Sequence, residues 1–547
     1  MSFRQYGGIN YAAKNNVVKN NYANVNNLSV MTKVGQPNTY INFESDISGN
    51  IIIYGDLDVS GNLHVSGDID CSGNVNVDGY LHVQQDIDCS GNLYTDKDAY
   101  INSVRVGRGA GNYTSNTVVG NQALFSNTTG SDNVANGYQS LYSNTTGIYN
   151  TALGFQALYS NTNSDYNVAT GYRALYTNTT GIDNVAIGSY SLYSNTTGKY
   201  NTANGYQALY SNTTGNYNVA NGYQALYFNT AANNVANGYQ SLYSNTTGFD
   251  NVANGYYSLH NNTLGIYNVA IGSNSLYSNT TGTSNTAIGS YSLYSNTIGI
   301  YNVAIGSSTL YSNTTGIYNV AIGYQSLYSN TTGQYNFALG SLTLYSNTIG
   351  INNVAIGTDA LSNNTTGSNN VANGLQTGLT NTTGSNNTFI GYTANCAGPA
   401  YTNATAIGNG ASVTGSNKVR IGNISVSVIE VQVALTVTSD ARDKTNFVPL
   451  DAGLNFINEL NPVRFDWNQR GGGLEGRKDI GFTAQELLLA QEKTKISIPN
   501  LVDESNPDKY HVMYTQLIPI LVKSVQEMSS TITRLEGEIN ELKLKIS

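Results

Sequence analysis

Charge is what this chain lacks. Only 10% of its 547 residues are Asp, Glu, Lys or Arg. Between Asn116 and Asn387 seven charged side chains occur: Asp132, Asp165, Arg173, Asp183, Lys199, Asp250 and Asp359. With a net charge of −9 and no basic patch, the sequence excludes a nucleic-acid binder, whose affinity rests on neutralising phosphates. Three cysteines, Cys71, Cys89 and Cys396, are too few for a disulfide scaffold and fit assembly in a reducing compartment. No apolar run is long enough to span a membrane, and the opening Met-Ser-Phe-Arg-Gln-Tyr-Gly-Gly lacks the apolar core of a signal peptide. The many Asn-Thr-Thr triplets match a glycosylation sequon, but without an export signal they read as turn chemistry. No cofactor or metal site is expected.

What is present is repetition. Residues 1–44, rich in Asn and Tyr with little to bury, read as a partly ordered arm. Residues 45–95 carry a six-residue period from Ile51 (IIIYGD, LDVSGN, LHVSGD, IDCSGN, VNVDGY, LHVQQD, IDCSGN). Positions one and three are apolar and share one strand face, and Gly with Asn or Asp turns the chain. Such units need stacked neighbours to bury their inner face, which predicts a β-helix. With three hexads per coil, Cys71 and Cys89 would stack on adjacent rungs. They could form a bond or a metal half-site; two small core thiols is the plainer and preferred reading.

After a connector at 96–115, residues 116–403 repeat every seventeen residues. The anchors run from Asn116, Asn133 and Asn150 to Asn387, with one short step from Asn218 to Asn234. In the unit NVAIGSYSLYSNTTGKY from Asn184, a strand is expected to end at Gly188, a second to carry Leu192, and Asn-Thr-Thr-Gly to reverse the chain. Ala and Leu are the expected inward residues, and Asn amides are placed to bond along the stack. Seventeen such coils would make a rod on the order of 80 Å. The fold class is therefore mainly β, a repetitive parallel β-helix or β-roll, followed by a small α+β domain ending in a coiled-coil helix.

The NVAIG core resembles the head repeats of trimeric autotransporter adhesins, left-handed β-rolls packed as trimers. Within 404–438, AIGNGASVTGSNKVRIG (Ala406–Gly422) has the fourteen-residue spacing of those heads; the seventeen-residue array departs from it. One Leu and one Ala per coil make a thin core, which trimerisation would supplement. The opening MSFRQYGGINYAAKNN resembles N-termini of predicted proteins from giant viruses of algae and protists.

Residues 439–547 are different in kind, with 29 charged side chains in 109 residues. They hold LNFINELNPVRFDW, a Gly-rich turn at 471–473, and a terminal helix. Its seam runs Leu521, Val525, Met528, Ile532, Leu535, Ile539, Leu542, Ile546 at alternating spacings of four and three. Val and Ile against mostly Leu favour two strands by packing rules alone; the flanking domains argue for three. Gly537 falls outside the seam.

Together these residues resemble the intramolecular chaperone of phage tail-spikes and endosialidases, an auto-processing serine peptidase family. The signature is Ser439-Asp440-Ala441-Arg442-Asp443-Lys444, then Asn461-Pro462, Trp467, Gly481-Phe482-Thr483-Ala484-Gln485-Glu486, Pro499, Leu501-Val502, Tyr514 and Leu517 to Pro519. Thr483 and Phe447 stand where the family more often has aliphatic residues. The resemblance implies cleavage of the Thr438–Ser439 bond in cis, with Ser439 as nucleophile and Lys444 as base. Serine needs a base, and a lysine serves if burial lowers its pKa.

These features point to a homotrimeric viral fibre or tail-spike-like adhesin precursor, assembled in host cytoplasm, displayed on the virion surface and matured by autocleavage. Its partners would be its own copies and a host-surface glycan or receptor, the latter suggested by recurring Tyr142, Tyr159, Tyr193 and Tyr210. Packing of these rings against neighbouring rungs is the preferred account of them. The alternative is a glycan-degrading tail-spike enzyme. It would need facing carboxylates, for which the array offers Asp132, Asp165 and Asp183. A membrane-tethered transcription regulator and an exported bacterial adhesin fit less well.

Overall fold

The computed structural model describes residues 27–31, as backbone, and 50–547 apart from 55, 60–62, 78, 96, 112, 427, 433–438, 469–474, 505–506 and 508–509. The rest of the arm, Thr438 and the 471–473 turn lie outside the described residues. The chain forms two units, Met1–Ile421 and Gly422–Ser547.

The first unit is a β-solenoid. In its hexad part, Leu57–Val59, Leu63–Val65 and Ile69–Cys71 lie parallel, eighteen residues on, to Val75–Val77, Leu81–Val83 and Ile87–Cys89. Three hexads therefore make one coil. The strands from Leu57 to Val83 bury their outer residues and turn the middle one outward, as in Leu63-His64-Val65, because strand side chains alternate faces; the outer residues of Ile87–Cys89 are half-buried. Cys71 pairs in register with Cys89; no disulfide joins the two, and burial pushes the Cys71 thiol up. Asn27–Met31 adds a parallel strand to Asn50–Tyr54 at one edge.

The two periods meet at a hairpin. Ala99–Ile101 continues the ladder from Leu81–Val83 and folds back antiparallel on Val104–Gly107. Buried Asp98 ties the junction, forming an ion pair with Arg105 at 2.6 Å and accepting the Gly109 N–H at 2.9 Å.

From Thr117 onward, three-residue strands stack parallel every seventeen residues, as Val185↔Thr202 and Val303↔Val320. From Val134–Asn136 to Val371–Asn373 the middle residue is a fully buried alanine, for example Ala186, Ala304 and Ala355. The last coil shortens to fourteen, Thr405↔Val419. The expected second strand is absent. Leu192 is buried as foreseen, but it sits in a chain of turns with φ 48°, after Tyr190 at 58° and Gly188 at 125°. Left-handed conformations cost an L-residue about 1–2 kcal/mol. Here they point successive N–H groups to different coils: Tyr190 to Tyr172 O at 2.8 Å, and Leu192 to Ala208 O at 2.9 Å. The corner is thereby hydrogen-bonded without a strand.

Two buried asparagine columns run beside the alanines. Asn302 donates N and Nδ2 to Asn285 Oδ1, both at 3.1 Å, and Nδ2 to Gly316 O at 2.8 Å. In the second column Asn296 Nδ2 reaches Asn279 Oδ1 at 2.8 Å. Buried amides are stable only when so paired. The short repeat breaks this second column. Strand register survives, Val219↔Val235, but Asn229 Nδ2 turns to Ala231 O, and the buried Asn212 Oδ1 is left without a hydrogen bond.

Outside the core, Phe125, Tyr142, Tyr159, Tyr176, Tyr193, Tyr210, Tyr227, Tyr243, His260, Tyr277, Tyr294, Tyr311, Tyr328 and Tyr345 form one column. Centroids are 5.0–5.3 Å apart and planes within 19°.

The second unit is α+β. Helices α1 (Leu454–Ile457), α2 (Ala484–Thr494) and α3 (Leu517–Ile546) bury Phe456, Leu487, Ala490, Leu517 and Ile520 with Leu501 in one core. An antiparallel hairpin pairs Val463–Asp466 with Lys478–Gly481.

Candidate functional site

The candidate dyad is built by a single turn. Asp440 caps a 3-10 turn at Ala441–Asp443, its carboxylate accepting the Arg442 N–H at 2.9 Å. The Lys444 N–H closes the turn on Ala441 O at 3.2 Å. The reversal brings the flanking side chains together, and Lys444 Nζ donates to Ser439 Oγ at 2.5 Å. The sequence signature did not state what Asp440 does: its carboxylate also grips the Arg442 guanidinium, with Nε at 3.0 Å and Nη2 at 2.5 Å. Those side-chain bonds, then the backbone bond, hold its carboxyl below the usual range. An Asp followed two residues later by Arg was the available signal.

Burial of Lys444 is not found within one chain. Ser439 and residues 441–450 are all exposed, because this stretch packs no apolar side chain into the unit's core. The other signature residues hold the frame. Thr483 and Glu486 form a reciprocal cap on α2, so the threonine that departs from the family pattern starts the helix. Tyr514 Oη accepts the Phe482 N–H at 3.3 Å and donates to Phe482 O at 3.0 Å. Trp467 Nε1 donates to Asp479 at 3.4 Å, and Glu527 on α3 accepts the Leu454 N–H at 2.7 Å.

Beyond its first turns, α3 leaves its seam in the open: Leu521, Val525, Met528, Ile532, Leu535, Ile539, Leu542 and Ile546 are 42–86% exposed. Among the described residues no helix is long and apolar enough to cross a membrane.

Two of the three candidate carboxylates of the array have protein partners. Asp132 accepts the Ser131 hydroxyl at 2.7 Å, and Asp165 accepts the Ile148 N–H at 2.8 Å. The tyrosine faces in the long column meet one another, so only edges and hydroxyls remain for a ligand.

A contact between Ser439 and Lys444 thus stands in a small α+β unit whose last helix leaves its seam open. The family model for the chaperone of endosialidase, Peptidase S74, matches residues 439–502; the C-terminal region carries a domain of that family. No curated protein matches the chain. The family implies autoproteolytic activity, on a β-solenoid consistent with a fibre or tail-spike-like protein.

Proposed function

We propose that the chain is the precursor of a homotrimeric virion fibre whose C-terminal domain aligns three solenoids and then cuts itself off before Ser439. The contact between Lys444 Nζ and Ser439 Oγ carries the catalytic part. With Lys444 neutral, the same contact runs the other way: the serine hydroxyl donates its proton to Nζ as Oγ attacks the Thr438 carbonyl carbon. The Thr438–Ser439 C–N bond breaks as the Ser439 amine takes that proton, and water hydrolyses the resulting ester to free the tail. Lys444 is exposed within one chain, so the site needs a further surface to dehydrate that amine before it can act as base. A neighbouring copy supplies one, which ties cutting to assembly. The exposed α3 seam is the surface by which copies join.

The solenoid explains the need for alignment. Near-identical coils pair as well one repeat out of register as in it, and their contacts are non-local. A terminal clamp fixes the start. The cut then makes disassembly one-way, leaving a kinetically stable fibre on the particle surface.

Intact mass of purified full-length protein tests this, beside Ser439→Ala and Lys444→Ala. The wild type should lose the segment from Ser439 onward, and both variants should stay whole. An uncut wild type of trimeric mass would overturn the catalytic assignment and leave a permanent clamp.

A further inference from the structure

Two of the four histidines stand one above the other in the hexad part of the solenoid. His64 pairs in register with His82 on the next coil, and Tyr100 takes that position on the coil after. The imidazole centroids are 4.4 Å apart with planes at 48°. The Tyr80 ring lies edge-on to Tyr100 at 5.6 Å. These four side chains line an open groove of about 320 Å³.

The placement is rigid. Each histidine is the outward residue of a Leu-His-Val strand whose leucine and valine are buried: Leu63 and Val65 below, Leu81 and Val83 above. The ladder therefore holds both imidazoles on one face at strand spacing, and nothing in the core requires imidazole there. An equivalent outward pair elsewhere, Asp58 and Asn76, closes on itself with a 2.5 Å hydrogen bond.

We propose that His64 and His82 chelate a divalent transition-metal ion on the solenoid surface. Metal–nitrogen bonds of roughly 2.0–2.1 Å place two ligating nitrogens within about 4 Å of each other, which rings at this separation reach by small side-chain rotations. Neutral imidazole selects Cu²⁺, Ni²⁺ or Zn²⁺ over Ca²⁺ and Mg²⁺, and Cu²⁺ binds most tightly at such nitrogen donors. Among the described residues no three His, Cys, Asp or Glu side chains gather. Water therefore completes the coordination, with Tyr80 and Tyr100 as the groove walls. Because the backbone is already fixed on both rungs, little conformational entropy opposes binding.

The test uses the full-length protein without a histidine tag, titrated with Cu²⁺ at a pH where imidazole is neutral. Binding is followed by calorimetry and electron paramagnetic resonance. The expected result is one tight Cu²⁺ per chain showing coupling to two imidazole nitrogens. His64→Gln and His82→Gln should each weaken it by more than about tenfold, while His511→Gln leaves it unchanged. Both sites lie on the solenoid surface, and an unaltered melting temperature without metal checks that the variants fold. Binding that persists in the double variant, or that is lost in His511→Gln, would overturn the proposal. So would a spectrum with no nitrogen coupling.

Discussion

At the scale of single residues, local partners decide which groups are poised for chemistry and which are locked. Ser439 and Lys444 are five apart, a spacing that says nothing about contact until Asp440 caps the turn between them. Asp440→Asn should keep part of the cap but lose the Arg442 ion pair, slowing self-cleavage without abolishing it; a time course of intact mass measures this. The depressed Asp440 carboxyl stabilises the turn above the ordinary Asp value of 3.8 and loses that contribution as pH falls through its lower folded value. A second residue gives a sharper pH signature. His260 replaces a tyrosine in the aromatic column, and burial holds its pKa below the ordinary 6.5. Unfolded chains take up that proton first, so solenoid stability is constant above this value and declines as pH drops from 6.5 toward the folded one. His260→Tyr should remove that decline in a melting-temperature series across pH 7 to 5, and a variant with the same slope as wild type would refute it.

At the scale of elements, the same residue type carries opposite consequences in the two units. Gly289 has φ 129°, and a Cβ there would lie 2.4 Å from Gly306 O. Gly289→Ala should therefore break the stack locally, since strain alone costs about 1–3 kcal/mol and the clash is with backbone. Gly537 on α3 has nothing within 4 Å of an added Cβ, so Gly537→Ala should stabilise the helix by about 0.5–1 kcal/mol. Thermal melts of the two variants should move in opposite directions. The contrast also shows where sequence reading succeeds. Val185-Ala186-Ile187 was legible as a strand because β-branched residues flank an alanine just ahead of Gly188 in a recurring unit. The turn conformation of Leu192 was not, because leucine alone avoids positive φ. What imposes it is the bond from its N–H to Ala208 O, a partner that exists only once the next coil has wound. Likewise the Ser–Lys spacing marked the site, while its exposure depended on packing that no residue pattern records.

At the scale of the whole molecule, assembly and cutting are one argument, and the α3 seam is where they separate experimentally. Leu535 is 44% exposed within one chain, so Leu535→Asp costs that chain little but would place three carboxylates against one another in the trimeric seam proposed above. If neighbouring copies dehydrate Lys444, the variant should sediment as monomer and stay uncut, although Ser439 and Lys444 are intact. Monomeric protein that still cleaves would sever the link between assembly and catalysis while leaving the dyad standing. The complementary measurement is refolding. Heat-unfolded Ser439→Ala protein retains its clamp and should regain solenoid structure on cooling, whereas cleaved wild type separated from its tail should not. Near-identical coils have no other reference for register. Equal refolding of the two would mean that the asparagine columns alone set the register, and the tail would then serve only to bring chains together.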